Sequence, residues 1–209
     1  RVSTTIGFIG VAISLVLGIS IGMLSGFTGG TVDQIIQRGI EILLSFPSIP
    51  LWLALSAVLP KDWSPLRVFF AITIILSVMG WGSLARVVRG MTLSLKNEEY
   101  VLSARMNGGN TWWILRRHLL PANLSYVIVA ATLAIPGMIL GETALSFLGL
   151  GLRPPIVSWG VLLQDAQQVS TLGQTPWLIA PVFFLMVTVL AFNFVGDGLR
   201  DAVDPHSRF

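Results

Sequence analysis

Long apolar stretches alternate with short charged segments along the whole chain. The intervals free of acidic and basic residues run between Arg1 and Asp33, Glu41 and Lys61, Arg67 and Arg86, Arg117 and Glu142, and Asp165 and Asp197. Each interval supplies roughly the 17–25 residues that a helix needs to cross the hydrocarbon core of a bilayer. The pattern predicts an all-α, polytopic membrane helix bundle with about five spans, at 4–26, 46–59, 67–86, 123–148 and 176–196.

The composition supports a membrane environment. Of the 209 residues, 54% are hydrophobic and 11% are charged, whereas about a quarter of the residues of a soluble domain are charged. The chain has no cysteine, which excludes a disulfide framework and a thiolate metal site. With no internal repeat and no long linker, residues 1–209 are expected to form a single membrane domain.

Local signals refine this arrangement. Gly18 and Gly22 share a face of the first span, where small residues four apart allow helices to approach closely in lipid. Asp33 is predicted to cap a short helix at 34–46, the segment "FPSIP" to kink the entry to the second span, and Pro136 to interrupt the fourth. Arg38 and Glu41 have the spacing of a helical ion pair.

The basic residues predict the orientation of the bundle. With five spans the loops alternate between the two sides of the membrane, and Lys and Arg concentrate on the cytoplasmic side. One side collects nine basic residues, namely Arg38, Arg86, Arg89, Lys96, Arg105, Arg116, Arg117, Arg200 and Arg208, and the other collects Arg1, Lys61, Arg67 and Arg153. The pattern therefore predicts a cytoplasmic C-terminus and a cytoplasmic segment 97–121, with Arg86 and Arg89 as anchors at that face.

The segment 97–121 is a charged interruption of the apolar pattern. Asn97 is a predicted N-cap, and the double glycine of "NGGN" ends the first helix near residue 107 by adopting the left-handed conformation. Asn110 or Thr111 is predicted to cap a second helix, which Pro121 joins to the fourth span. Two short helices are therefore expected to meet at a glycine corner outside the bilayer.

Small residues at this corner allow two interpretations. The corner carries Ser103, Ala104, Gly108 and Gly109, and a pair of helices lodged in a partner's groove needs such a smooth surface. The alternative is an amphipathic hairpin at the membrane interface, with Trp112 and Trp113 among the lipid head groups.

The segment resembles the cytoplasmic coupling loop of ABC-type importer permeases, whose motif runs Glu-Ala-Ala, three residues, Gly, nine residues, Ile-x-Leu-Pro. Gly108, Leu120 and Pro121 match this motif, while Leu102-Ser103-Ala104 stands in place of Glu-Ala-Ala and His118 in place of the isoleucine. The strings "EYVLSAR", "RRHLLP", "ALSFLGLGLRPPIVSWG" and "NFVGDGLRDAVDP" resemble the C-type permease subunit of the dipeptide, oligopeptide and nickel importers. The resemblance covers essentially the whole chain.

The resemblance implies a type I ABC importer permease fold in the inner membrane of a prokaryote, with a first helix upstream of Arg1. It also implies a second, related permease, two ABC ATPases that bind ATP and Mg²⁺, and an extracellular or periplasmic solute-binding protein. The chain itself has no phosphate-binding loop of the form G-x-x-x-x-G-K-[ST]. It is therefore expected to be a non-catalytic subunit without a cofactor of its own, in contact with lipid and not with nucleic acid.

The resemblance further implies that helix 98–108 lodges in a cleft of one ATPase and transmits its motion to the third and fourth spans. The residues assigned to this coupling are Glu99, Tyr100, Ser103, Ala104, Arg105, Gly108, Leu120 and Pro121.

Other polar residues receive separate predictions. Glu142 is the acid embedded in the fourth span, and with Pro136 and Ser146 it is a candidate for the lining of the pathway, or else it is simply hydrated or hydrogen-bonded near the external surface. Structural ion pairs at i,i+3 and i,i+4 are expected among Asp197, Arg200, Asp201 and Asp204. His118 and His206 have no clustered acids, so a metal site is not predicted.

Two other classes of function stay open. A secondary transporter would need inverted repeats and ion sites at the midplane, and a membrane scaffold would need no transport machinery. For an importer, peptides are the leading cargo, while nickel and small glycosides remain alternatives.

Overall fold

The chain folds into helices joined by short connections. The structure is a computed structural model that describes residues 1–167, 173 and 175–203. Within these residues the α-helices are α1 (Val2–Thr28), α2 (Gly30–Ser45), α3 (Ser48–Ala57), α4 (Pro65–Leu95), α5 (Glu99–Met106), α6 (Thr111–Ile114), α7 (Leu120–Phe147), α8 (Trp159–Gln164) and α9 (Ala180–Val203). A π-helical turn, Leu115–Leu119, joins α6 to α7, and 3₁₀ turns occupy Asp165–Gln167 and Pro176–Ile179.

Four helical stretches of the described chain are long and apolar enough to cross a membrane. They are Val2–Thr28, Pro65–Leu95, Thr111–Phe147 and Pro176–Ala202. The helices α2 and α3 bend by 83° at the break between them, and they count as a fifth span if the bent pair is one crossing. This confirms the predicted all-α membrane bundle of about five spans and the kink at "FPSIP".

The helices α1, α4 and α7 form the centre of the bundle, and α1 and α4 approach at glycines. A Cβ atom on Gly22 would lie 2.6 Å from the backbone oxygen of Ala85, and one on Gly26 would lie 2.7 Å from that of Arg89. A Cβ atom on Gly18 would lie 2.8 Å from the Leu84 side chain. The close-packing role predicted for Gly18 and Gly22 is confirmed, and Gly26 extends the same seam by one turn.

Two clusters of buried hydrophobic residues lie along this bundle. The first contains Ile6, Ile72, Leu76, Ile139, Leu145 and Leu152, with α3 and α8 packed against it. The second contains Met23, Val88, Val101, Ile114, Leu119 and Val127, and therefore includes side chains of the segment 97–121. Trp159 is half-buried against the first cluster, and its backbone N–H donates to Ser3 Oγ at 3.2 Å.

Two features of the long helices differ from the predictions. Span three continues to Leu95, because Arg86 and Arg89 lie within the helix instead of ending it. Helix α7 runs unbroken through Pro136, so the predicted interruption is wrong. The join to the fourth span lies where it was predicted, because α7 begins at Leu120 with Pro121 in its first turn, and the stretch Thr111–Phe147 as a whole is long and apolar enough to cross a membrane. A proline removes one backbone donor, and the π-helical turn before Pro121 changes the hydrogen-bond register at that point.

Helix α9 lies against α7 and exposes most of its surface. A Cβ atom on Gly196 would lie 2.5 Å from the Leu133 side chain, and Phe192 packs edge-to-face on Phe8 of α1 with ring centroids 5.8 Å apart. On the far side Phe183 and Phe194 are exposed. These aromatic side chains suit contact with lipid or with another membrane helix. Asp204 and His206 lie outside the described residues.

Candidate coupling site

The corner between α5 and α6 is closed by a defined turn. Helix α5 begins at Glu99, and its N-cap is Glu98 without a side-chain cap hydrogen bond, so the predicted cap at Asn97 is wrong. Gly108 has φ +80°, and the backbone N–H of Gly109 donates to the Ala104 oxygen at 2.9 Å. The left-handed glycine ends the helix as predicted. The Asn110 side chain then caps α6 by accepting from the Trp113 N–H at 2.8 Å, which is also as predicted.

The inner face of α5 is anchored in the bundle. Val101 is fully buried and Ala104 is 8% exposed, and both belong to the hydrophobic cluster that includes Met23 of α1, Val88 of α4 and Val127 of α7. Apolar burial stabilises this contact. The inner face of α5 therefore shares one hydrophobic cluster with side chains of α1, α4 and α7, and a displacement of α5 would disturb that cluster.

The small residues of the corner have internal reasons for their size. Ala104 is buried against the bundle. A Cβ atom on Gly109 would lie 2.7 Å from the Ala104 oxygen and 3.1 Å from the Trp113 ring. Gly108 has open space around it, so its φ alone explains the glycine. At these positions the packing and the backbone conformation of the corner itself explain why the residues are small.

The outer face of the corner forms an open groove of about 530 Å³. Its lining includes Tyr100, Ser103, Asn107, Gly108 and Trp113. His118 closes one side, with its ring 4.9 Å from that of Trp113 and 6.0 Å from that of Tyr100. Trp112 points away from this stack and is 71% exposed. The corner thus presents a partly aromatic groove, and the opposite side of α5 belongs to the buried cluster of the bundle.

Cationic side chains tie the corner to the end of α1. The Arg105 guanidinium lies over the Phe27 ring, 4.6 Å from its centroid, a favourable cation–π arrangement. Lys96, which follows α4, donates from Nζ to the backbone oxygen of Gly26 at 3.0 Å. Both contacts join the segment around α5 to the last turn of α1.

A partly buried ion pair lies about two turns of α4 before Lys96. Arg89 donates from Nε to Asp33 Oδ1 and from Nη2 to Asp33 Oδ2, each at 2.5 Å. Ser25 Oγ also donates to Asp33 Oδ1, and Gln37 Nε2 donates to Ser25 Oγ at 3.1 Å. Asp33 therefore lies inside the first turn of α2 and is not its N-cap, and Arg89 is an ion-pair partner and not a free interfacial anchor. The predictions for both residues are wrong in these respects.

The residues assigned to coupling have different environments in the structure. Tyr100, Ser103 and Gly108 line the groove, and Glu99 is exposed at the start of α5. Ala104 also lines the groove, although it is only 8% exposed. The other three lie elsewhere: Arg105 stacks on Phe27, Leu120 is half-buried against the second cluster, and Pro121 is exposed on α7. The groove-lining residues can meet a partner directly, while Leu120 can act only through the packing of the corner.

The candidate pathway residues lie in the interior of this chain. Pro136, Glu142 and Ser146 are buried, with Glu142 and Ser146 at 0% exposure. Ser146 Oγ donates to Glu142 Oε1 at 2.7 Å and accepts from the Leu152 N–H at 3.0 Å. This arrangement fits the hydrogen-bonded alternative for Glu142, and the pathway role of the three residues stays a prediction.

Among the described residues, the ion pair expected between Asp197 and Arg200 is not formed. Asp197 and Arg200 are both exposed on α9. Across residues 1–167 and 175–203, the ion pairs given by the structure are Arg38–Glu41 at 2.8 Å and Arg89–Asp33. An ion pair between two such exposed side chains would contribute little free energy. The Arg38–Glu41 prediction is confirmed, and the pairs involving Asp204 fall outside the described residues.

Sequence reasoning missed Lys96 and the pairing of Asp33 with Arg89. The sequence contained one indication that Asp33 and Arg89 could pair. Both lie in segments that were predicted on the same side of the membrane. Nothing local joins residues 56 positions apart. Only the close approach of α1 to α4, set by the glycine seam, brings α2 alongside Arg89.

Known proteins resemble this chain along its whole length. It is 43% identical over 209 residues to the oligopeptide transport system permease protein OppC of Haemophilus influenzae, covering 100% of this chain and 65% of that protein. It is 40% identical over 209 residues to OppC of Bacillus subtilis, covering 100% and 66%, and 38% identical over 208 residues to the dipeptide transport system permease protein DppC of the same species, covering 100% and 63%. The chain thus spans 63–66% of the length of these curated relatives.

A solved structure shares the fold. It is entitled "Inward facing conformations of the MetNI methionine ABC transporter", and it superimposes with a TM-score of 0.66 at 19% identity, covering 97% of this chain and 93% of that one. This likeness confirms the predicted permease fold, and the relatives confirm the predicted resemblance to the C-type subunits. Residues 18–209 match the family described as the binding-protein-dependent transport system inner membrane component, and the chain belongs to that family.

Proposed function

We propose that this chain is the permease subunit of an ATP-driven importer, in which it forms half of a translocation pathway and is moved by a separate ATPase through α5. The proposal rests on one observation, which is that α5 has a buried face and an open face. Its inner face, with the fully buried Val101, belongs to the hydrophobic cluster shared with α1, α4 and α7, while Tyr100 and Ser103 on its outer side line an open groove. Such an element transmits a force applied at its outer face to the membrane helices.

The partners follow from the family. A binding-protein-dependent system needs a solute-binding protein, and half of a pathway needs a second permease beside it. The exposed aromatic face of α9, with Phe183 and Phe194, is available for lipid or for that second permease. ATP and Mg²⁺ would bind to two ATPase subunits. The excess of basic residues around the corner favours a cytoplasmic location for segment 97–121 and for the C-terminus.

The proposed cargo is a peptide. The relatives at 38–43% identity are named for oligopeptide or dipeptide transport. The buried state of Glu142 leaves no exposed acid on that helix for selecting a cargo. Selection would then rest with the solute-binding protein, and the permease would be permissive.

A cross-linking experiment tests the contact with the ATPase. Because the chain has no cysteine, Ser103→Cys introduces a unique thiol into the groove. In the assembled transporter, a thiol-directed cross-linker is expected to join this position to the ATPase subunit and to block uptake. Ser64→Cys is the matched control, since Ser64 is exposed at the other end of α4. Equal cross-linking from both positions, or none from Ser103→Cys in an active transporter, would contradict the proposal.

A second variant separates assembly from coupling. Ser103→Trp fills the groove without changing the glycine turn, so the complex is expected to assemble and hydrolyse ATP while uptake into reconstituted vesicles falls at least tenfold, a loss of about 1.4 kcal/mol in coupling. Undiminished uptake by an assembled Ser103→Trp complex would show that the groove is not the coupling surface.

A further inference from the structure

A second cavity lies at the opposite end of the bundle from the α5 corner. It is formed where the end of α3, the loop 58–64, the start of α4 and the segment after α7 meet, and its volume is about 200 Å³. Helix α4 has 31 residues, which at 1.5 Å per residue places this cavity about 46 Å along the helix from the corner. It is therefore separate from the proposed coupling site.

The wall of the cavity contains a buried hydroxyl without a partner. Ser56 lines the cavity, is 4% exposed, and has no hydrogen-bond partner for its Oγ. Several other hydroxyls in the bundle donate to the carbonyl four residues earlier, as Thr73 does to Phe69 and Thr92 to Val88, while the buried Thr143 hydroxyl, which does not line this cavity, is also without a partner. A buried hydroxyl is normally satisfied. The Ser56 O–H is therefore available to an acceptor that enters the cavity.

The rim of the same cavity carries two cations. Lys61 and Arg153 line it from opposite segments, and both are exposed. In the part of the chain that the structure describes, neither makes an ion pair, and no carboxylate lines the cavity. An ammonium and a guanidinium with a nearby hydroxyl donor form a suitable set for a phosphate group.

The surroundings of the cavity favour a lipid as the source of that phosphate. Val58 is 80% exposed, Leu66 is 63% exposed and Phe70 is 51% exposed, on the loop and the first turns of α4 beside the cavity. Trp63, half-buried in its lining, is typical of the head-group level of a bilayer. Basic pockets between membrane helices on the cytoplasmic side bind anionic lipid head groups, and the same contacts of a cation with phosphate oxygens are available on the external side, where the basic-residue pattern places this cavity. A lipid bound there would place its acyl chains along the exposed apolar surface.

We propose that the cavity lined by Ser56, Lys61 and Arg153 binds the phosphodiester head group of an anionic phospholipid. The two cations would contact the phosphate oxygens, and the Ser56 hydroxyl would donate to one of them. The site depends on the chain being a membrane protein and does not depend on coupling to an ATPase. A failed cross-link at Ser103 would therefore leave it standing.

Lipid retention by the assembled transporter tests the site. The complex is reconstituted into nanodiscs containing phosphatidylglycerol or only phosphatidylcholine, and the lipids retained after transfer to detergent are counted by native mass spectrometry. The wild-type complex is expected to retain phosphatidylglycerol in preference. Lys61→Ala and Arg153→Ala are each expected to weaken retention about fivefold, and Ser56→Ala to weaken it without any change of charge.

Arg67→Ala is the matched control, because Arg67 is an exposed cation in the first turn of α4 that does not line the cavity. An equal loss from Arg67→Ala would mean that diffuse surface charge holds the lipid, and it would overturn the proposal. Displacement of the lipid by millimolar inorganic phosphate would show a site for free anions and would also overturn it. Equal retention by the wild-type complex and the Lys61→Ala/Arg153→Ala double variant, as expected if a second permease covers the cavity, would overturn it as well.

Discussion

Arg89 holds both carboxylate oxygens of Asp33 through two parallel hydrogen bonds of 2.5 Å, and so fastens α2 to α4. The Arg89 side chain is 30% exposed and that of Asp33 is 12% exposed. Such a bidentate pair fixes geometry as well as charge. Since α4 leads directly into the segment that carries α5, the pair fixes the base of the proposed lever.

Breaking this pair is expected to destabilise the bundle. Arg89→Ala leaves the Asp33 carboxylate with Ser25 as its remaining hydrogen-bond partner in the described chain. Removal of one partner of a buried pair costs about 3–5 kcal/mol, and the partial exposure lowers the expectation to roughly 2 kcal/mol. The measurement is the free energy of unfolding in detergent micelles, with Asp33→Ala and the double variant completing a thermodynamic cycle.

The Arg38–Glu41 pair provides the control for this measurement. It also joins an arginine to a carboxylate at 2.8 Å, but its side chains are 81% and 49% exposed. Arg38→Ala is expected to change the unfolding free energy by less than about 0.5 kcal/mol. Similar losses from Arg38→Ala and Arg89→Ala would contradict a special role for the Asp33–Arg89 pair.

The glycine seam between α1 and α4 gives a second prediction. Gly22→Ala places a methyl group 2.6 Å from the Ala85 backbone oxygen, which cannot move aside as a flexible side chain would. The helices must separate, and overpacking of this kind costs about 1–3 kcal/mol. The unfolding free energy in micelles should fall by that amount.

Gly90→Ala is the matched substitution on α4. Nothing lies within 4 Å of a Cβ atom built at Gly90. Alanine restricts the unfolded chain more than glycine does and favours the helix by about 0.5–1 kcal/mol. Stability should therefore rise slightly, and a loss from Gly90→Ala as large as that from Gly22→Ala would rule out steric contact as the cause.

The sequence predicted the spans well and their ends poorly, for a physical reason. A long stretch without charged residues is favourable in lipid and therefore locates a span. The first span was predicted at 4–26 and is observed at Val2–Thr28. Arginines were taken as a boundary of the third span, but Arg89 is tolerated within α4 because Asp33 satisfies it. Contacts between distant segments of this kind are not encoded in a local pattern.

The corner was predictable from backbone chemistry, while its use of small residues was not. Gly108 ends α5 in the left-handed conformation, and the Asn110 side chain caps α6. Both follow from the local conformational and capping preferences of these residue types. The burial of Ala104 depends on how α5 docks onto α1, α4 and α7, which no local rule specifies. The same limit applies to Glu142, whose environment depends on the fold of the segment that follows α7.

The two glycines of the corner should respond differently to substitution. Gly108 has φ +80° and open space around it, so Gly108→Asn is expected to be tolerated, since asparagine adopts the left-handed conformation more readily than other residues. Gly109→Ala brings a methyl group 2.7 Å from the Ala104 oxygen and should open the turn. ATP-driven uptake by reconstituted complexes is the readout, with near-normal uptake for the first variant and a clear loss for the second. If Gly108→Asn lost uptake and Gly109→Ala kept it, the groove would not depend on the geometry of the turn.

The last prediction concerns Glu142 and Ser146, and it separates packing from transport. Ser146→Ala removes the oxygen that accepts from the Leu152 N–H and leaves that buried donor unpaired, at a cost of about 1–3 kcal/mol. Glu142→Gln keeps an oxygen that can accept from Ser146, so it should leave the unfolding free energy within about 0.5 kcal/mol of the wild-type value. If Glu142 only supports the segment after α7, uptake by Glu142→Gln should also stay normal. A Glu142→Gln complex of normal stability that loses uptake would instead favour the predicted pathway role, because transport would then need the carboxyl group in a way that its buried hydrogen bond does not explain.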